Sequence, residues 1–131
     1  MRKLIYVFFA FILVGVVSCK EEVDPTVAVG NVAKKYYDYL RVGKYDSFVC
    51  SMNLPPRVPD SYRSQLTDNA KMFMAQMREE HNGIDSVRVR RAVVDSTGRG
   101  ASVFLMLHYG DKSVEQVIVP LVKRDSVWLI R

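Results

Sequence analysis

The stretch Arg78-Glu79-Glu80-His81-Asn82-Gly83-Ile84-Asp85-Ser86-Val87-Arg88-Val89-Arg90-Arg91 decides the fold, because the hydrophobic period changes within it. Before Asn82-Gly83 the apolar residues Tyr62, Leu66, Ala70, Phe73 and Met77 recur at helical spacing, which predicts one inward stripe on a helix from Pro59 or Asp60 to about His81. After Gly83 the beat becomes two, and everything that follows reads as strand.

Four strands follow, over about Ser86 to Asp95, Ala101 to Tyr109, Val114 to Lys123 and Val127 to Arg131. Ser96-Thr97-Gly98-Arg99-Gly100, Gly110-Asp111-Lys112-Ser113 and Arg124-Asp125-Ser126 are turns, and connections this short force antiparallel neighbours. The second strand is apolar on both faces, with Val103, Leu105 and Leu107 against Phe104 and Met106, so it belongs in the middle of the sheet. Trp128 and Ile130 of the last strand should complete the core. The first strand breaks step at Arg90-Arg91. A β-bulge there restores the alternation and bends the strand, and is the preferred reading; without it Arg91 would point inward, toward an anionic ligand.

Upstream, Asp24-Pro25 opens another helix with an N-cap carboxylate and proline at the first position. Val29, Val32, Ala33, Tyr36 and Leu40 form its stripe, and Gly43 stops it. A shorter helical piece covers Tyr45 to Ser51, facing Tyr45, Phe48 and Val49 inward. Leu54-Pro55-Pro56-Arg57-Val58-Pro59 is a rigid extended loop. Helices followed by an antiparallel meander make an α+β domain, residues 25–131, with its helices on one face of a four-stranded sheet.

The N-terminus is of another kind. Arg2-Lys3 precedes an apolar run from Leu4 to Val17, short of the roughly 20 residues that span a bilayer. This has the form of a signal peptide over residues 1–18. Val16-Val17-Ser18-Cys19 resembles the lipobox of bacterial lipoproteins, with Val16 where Leu is usual. The resemblance implies cleavage before Cys19 and a diacylglycerol on its sulfur, a membrane anchor of covalent lipid. Lys20-Glu21-Glu22 resembles the surface-export signal of some Gram-negative lipoproteins, which is the preferred reading; a short polar tether over 19–24 is the alternative. The expected location is the outer membrane of a Gram-negative bacterium, on its outer or periplasmic side.

Composition excludes several classes. Arg2 and Lys3 leave with the leader, and the remaining positive excess is small, so nucleic acid is not an expected partner. With Cys19 acylated, Cys50 has no partner and reads as a small core residue; there is no disulfide framework. No metal-ligand spacing, phosphate loop or nucleophile motif is present, and no cofactor is assigned.

Tyr36-Tyr37-Asp38-Tyr39-Leu40 with Gly43-Lys44-Tyr45-Asp46, and at the far end Asp125-Ser126-Val127-Trp128-Leu129-Ile130, resemble the opening helix pair and final strand of small nuclear-transport-factor-two-like domains. Within that cystatin-like superfamily the match is to domains of unknown function common in bacterial lipoproteins. The resemblance implies a cone, a curved sheet wrapped around helices, with a cleft that binds small molecules, houses catalysis or mediates pairing. Fold does not choose among these.

Tyr36, Arg91 and His108 are the candidate cleft residues. The tyrosines of the helical half, Tyr36 and Tyr62 included, are assigned chiefly to the core, with hydroxyls reaching the cleft or solvent. His81 sits at a helix end, where a cation suits the dipole. His108, on the Phe104/Met106 face, has no acidic neighbour on its strand, and Asp85, Asp95, Asp111 and Asp125 fall at turns. No acid–base pair is evident, so the expected function is non-catalytic binding of a small ligand or an envelope protein. A cleft hydrolase or isomerase using His108, and a structural homodimer, are the alternatives.

Overall fold

The computed structural model describes residues 24–131. Three helices, α1 (Pro25–Arg41), α2 (Tyr45–Cys50) and α3 (Asp60–His81), precede four strands, β1 (Ile84–Val94), β2 (Gly100–Tyr109), β3 (Val114–Arg124) and β4 (Val127–Ile130). The strands lie in the order β1-β2-β3-β4, every neighbour antiparallel. This is the α+β meander that the change of period predicts, with β2 inside the sheet.

Local chemistry sets the boundaries. The Asp24 carboxylate accepts the Thr26 backbone N–H at 2.9 Å and its hydroxyl at 2.8 Å, which starts α1 with Pro25 in its first turn. At the end of α3 the chain turns left-handed at Asn82 (φ 59°) and Gly83 (φ 84°), and the Gly83 N–H closes on the Met77 carbonyl at 3.0 Å. The reversal aims β1 back along the helical layer.

One face of the sheet carries the core. Val103, Leu105 and Leu107 of β2, Val87 of β1, and Val119 and Leu121 of β3 are buried beneath Val29, Ala33 and Leu40 of α1. Helix α1 packs most closely on β1, where a Cβ at Gly30 would stand 3.0 Å from Val89. Its other end reaches β4, the Tyr36 hydroxyl donating to the Trp128 carbonyl at 2.5 Å. Trp128 and Ile130 are half-buried against this core.

Register in β1 shifts twice, between Ile84 and Ser86 and between Val89 and Arg91. The second shift is the bulge. It leaves Arg90 unpaired and sets Arg91 opposite Phe104, while Val89 faces Leu105 and Ala92 faces Val103. Both sides of the bulge thereby keep their apolar residues toward α1, as the sequence requires.

Two core assignments are corrected. Tyr62 is 49% exposed, because α3 packs mainly on α2 and its first turn extends past the apolar contacts; the buried side is Ala70, Met74 and Met77. Cys50 is exposed rather than core. In a helix as short as α2 the inward positions go to Phe48 and Val49, and the next residue is turned outward by the helical step.

Candidate functional site

Cys50 turns toward a groove where α1, α2 and β4 meet. Tyr36 and Tyr39 come from α1, one helical turn apart, Asp46, Ser47, Cys50 and Ser51 from α2 and its cap, and Val127 and Leu129 from β4. The groove measures about 410 Å³. Its floor is fixed: Tyr36 is tied to β4 through the Trp128 carbonyl, Tyr36 and Tyr39 rings lie 6.2 Å apart, and Ser51 Oγ donates to the Phe48 carbonyl. Partial burial raises the Tyr36 pKa above its ordinary value. Asp46 and Ser47 also border a neighbouring groove of about 580 Å³ with Lys44, Thr67 and Lys71. The first groove offers two phenols, a carboxylate, two serine hydroxyls and a thiol around an apolar floor, a set able to orient a small polar molecule.

The three cleft candidates are not brought together. Tyr36 lines the groove, but Arg91 and His108 stand on the opposite face of the sheet. The bulge turns Arg91 outward, its guanidinium 4.3 Å from the centroid of the Phe104 ring. His108 pairs with Ser86 on one side and Val114 on the other, half-buried by its neighbours and outside both grooves. Even-numbered residues of β2 face away from α1, and His108 shares that parity with Phe104 and Met106. Cys19 and the Lys20-Glu21-Glu22 segment lie outside the described residues.

A second polar cluster joins α3 to the β2–β3 turn. His81 Nδ1 is 2.9 Å from Asp111 Oδ2, and the His81 ring stacks on Tyr109 with centroids 4.2 Å apart. Ser113 donates its backbone N–H to Asp111 Oδ1 at 2.9 Å and its hydroxyl to the same atom. Those bonds, the Ser113 hydroxyl foremost and then His81, lower the Asp111 pKa to about 2. Tyr109 donates to Glu115 at 2.8 Å, and burial together with that carboxylate raises its own pKa. Backbone bonds from Asp111 to the His81 carbonyl and from Gly110 to the Gly83 carbonyl hold the same junction. A Cβ on Gly110 would sit 2.5 Å from the Asn82 carbonyl oxygen, so glycine is what lets the two turns touch. The arrangement is a clasp between helix end and hairpin that orients an imidazole.

Reading the sequence by strand position missed both clusters. Asp111 counted as a turn residue, and its partner lies thirty positions upstream. The available signal was that Asn82-Gly83 and Gly110-Asp111 both reverse the chain at one end of the sheet. For the groove it was the spacing of Tyr36 and Tyr39. Among the described residues there is no group of three or more His, Cys, Asp or Glu side chains that could hold a metal ion, and no helix long and apolar enough to cross a membrane.

No protein-family model matches the chain. No curated protein matches it either. Among solved structures the fold is similar to a candidate NTF2-like transpeptidase of Campylobacter jejuni, with a TM-score of 0.62 at 16% identity over 76% of this chain and 94% of that one. A candidate calcium/calmodulin dependent protein kinase II association domain of Xanthomonas campestris aligns with a TM-score of 0.42 at 18% identity, over 79% of this chain and 80% of that one. At such identity the first likeness shows the fold, NTF2-like, and nothing of activity.

Proposed function

We propose that this chain is a lipid-anchored binding module, held on a bacterial outer membrane through Cys19, whose groove between α1, α2 and β4 takes a small polar ligand without transforming it. The anchor rests on the signal-peptide form of residues 1–18 and the lipobox-like Val16-Val17-Ser18-Cys19; the outer-membrane placement rests on Lys20, Glu21 and Glu22. The groove itself carries the binding reading. It lies between α1, α2 and β4 of an NTF2-like layout, with Tyr36 held by the Trp128 carbonyl and with Tyr39, Asp46 and Cys50 lining it. Aromatic walls with a few placed polar groups are the usual make-up of a small-molecule site. Among the described residues, the side-chain bonds of the groove tie Tyr36 to the Trp128 carbonyl and Ser51 to the Phe48 carbonyl, and its Asp46 carboxylate accepts from the Thr67 hydroxyl of the neighbouring groove at 3.5 Å.

Cys50 supplies the test. In full-length protein purified from its own membranes, a groove ligand should slow Cys50 alkylation several-fold relative to protein stripped by unfolding and refolding. Emission from Trp128, the single tryptophan, should shift on stripping. Equal alkylation rates, with no small molecule released on denaturation, overturn the reading.

The enzymatic alternative changes its residue. His108 stands outside the grooves, whereas His81 is oriented by Asp111 in the way a general base is oriented. Hydrolase or isomerase activity abolished by His81→Gln and untouched by His108→Gln would favour that reading over the binding one.

A further inference from the structure

The bulge in β1 has a second effect. Alternation alone would put Arg88 and Arg90 on one face of the sheet and Arg91 on the other. The extra residue returns Arg91 to the side of Arg88, opposite Met106 and Phe104. Arg90 reaches the same face, its guanidinium donating to Gln116 two strands away. Three arginines thus share the face that carries no helix.

Around them lie Val93, Phe104, Met106, Val114 and Ile118, of which Val93, Val114 and Ile118 are about half exposed. No Asp or Glu occupies a paired position on this face; Asp85, at the other irregularity of β1, is the nearest carboxylate along the strand. Arg90 bonds a neutral amide and Arg91 lies on an aromatic ring, so neither positive charge is neutralised. Among the described residues Arg88 and Arg91 form no ion pair.

The chain enters the domain at this edge. Helix α1 crosses the inner face obliquely, with Gly30 on Val89 of β1 and Tyr36 on Trp128 of β4, so its first turn lies toward β1. From Cys19 to Asp24 the chain can span at most about 18 Å. A lipid on Cys19 therefore keeps the β1 edge within a short tether of the headgroups.

We infer that Arg88, Arg90 and Arg91 form a docking surface for an anionic phospholipid leaflet, which orients the anchored domain with β1 against the membrane. Guanidinium groups that bridge phosphates, with apolar side chains beside them, suit a headgroup layer. A second copy of the chain presents the same arginines and, at the paired positions of this face, no carboxylate to set against them, and so does not complement it. The inference rests on acylation of Cys19.

The full acylated chain is bound to vesicles of phosphatidylcholine alone or of phosphatidylcholine with phosphatidylglycerol, and phenylglyoxal modification of each arginine is read by peptide mass. On the mixed vesicles Arg88 and Arg91 should react about fivefold more slowly than on the neutral ones, the factor expected of one basic residue at an anionic surface. Arg57 and Arg63, in the helical half, should react equally on both, and high salt should erase the difference. Equal rates at Arg88 and Arg91 on the two vesicles, in protein whose Cys19 acylation is confirmed by mass, overturn this inference and leave the anchor standing. Protection without vesicles that grows with protein concentration assigns the face to a second copy and overturns it as well. An unacylated N-terminus removes the anchor and this inference together.

Discussion

The two faces of β2 carry similar residues and meet different fates. Val103, Leu105 and Leu107 are at most 1% exposed beneath α1, whereas Phe104 and Met106, between them in sequence, are only half-buried. Strand composition alone does not distinguish these faces. The difference comes from the helical layer, which covers one side of the sheet, while the other is shaded by its own neighbours. Arg91 laid over Phe104 is such a neighbour, a long polar stem covering apolar surface while its charge stays in water. Half-burial of that kind contributes far less to stability than enclosure, and substitutions on the two faces should differ accordingly.

The largest effect belongs to the covered face. Leu105 is fully buried between α1 and the flanking strands, and Leu105→Ala should destabilise by about 2–5 kcal/mol through lost transfer energy and the cavity left behind. Urea unfolding followed by Trp128 fluorescence measures it. A loss no greater than that of an exposed-face substitution would mean that the two faces are not unequal after all.

How much of this the sequence disclosed depends on range. Local signals fixed α1, the end of α3 and the hairpins, because capping carboxylates, glycine turns and alternation act over a few residues. The Arg90-Arg91 bulge was legible too, since only an inserted residue keeps both Val89 and Ala92 on the core side. What stayed hidden depends on which elements pack together. Tyr62 has the right spacing for the α3 stripe, but nothing in the sequence says that its turn extends past the packed layer. Cys50 looks like a core residue until α2 proves short enough to leave it outside. His81 and Asp111 meet only because two turns stack at one end of the sheet, a contact that pattern reading along either segment does not contain.

Two tests probe how the covered face is fastened. Tyr36→Phe removes the bond to the Trp128 carbonyl and keeps the ring, so it should cost about 0.5–1.5 kcal/mol and alter Trp128 emission. Asp111→Asn tests the clasp and should matter less, because the His81–Asp111 pair is about a third exposed and screened by solvent. Its signature is its pH dependence. Folding lowers the Asp111 pKa to about 2 from an unfolded value of about 3.9, so the ionised clasp stabilises fully above the unfolded value. That contribution fades as pH falls from about 4 to about 2. Wild type should exceed Asp111→Asn in unfolding midpoint at neutral pH, and the gap should close across that window. A gap unchanged at pH 2 would remove the carboxylate charge from the explanation.

The smallest effect belongs to the bare face, and it completes the contrast with Leu105. Ile118 is 57% exposed and pairs with Phe104 on the side away from α1. Ile118→Thr keeps a β-branched residue at the strand position and exposes no buried polar group, so the unfolding free energy should move by no more than about 0.5 kcal/mol. A loss near that of Leu105→Ala would show that something covers Ile118 in solution. Because the second copy is the one cover that would travel with the purified chain, that loss should then grow with protein concentration.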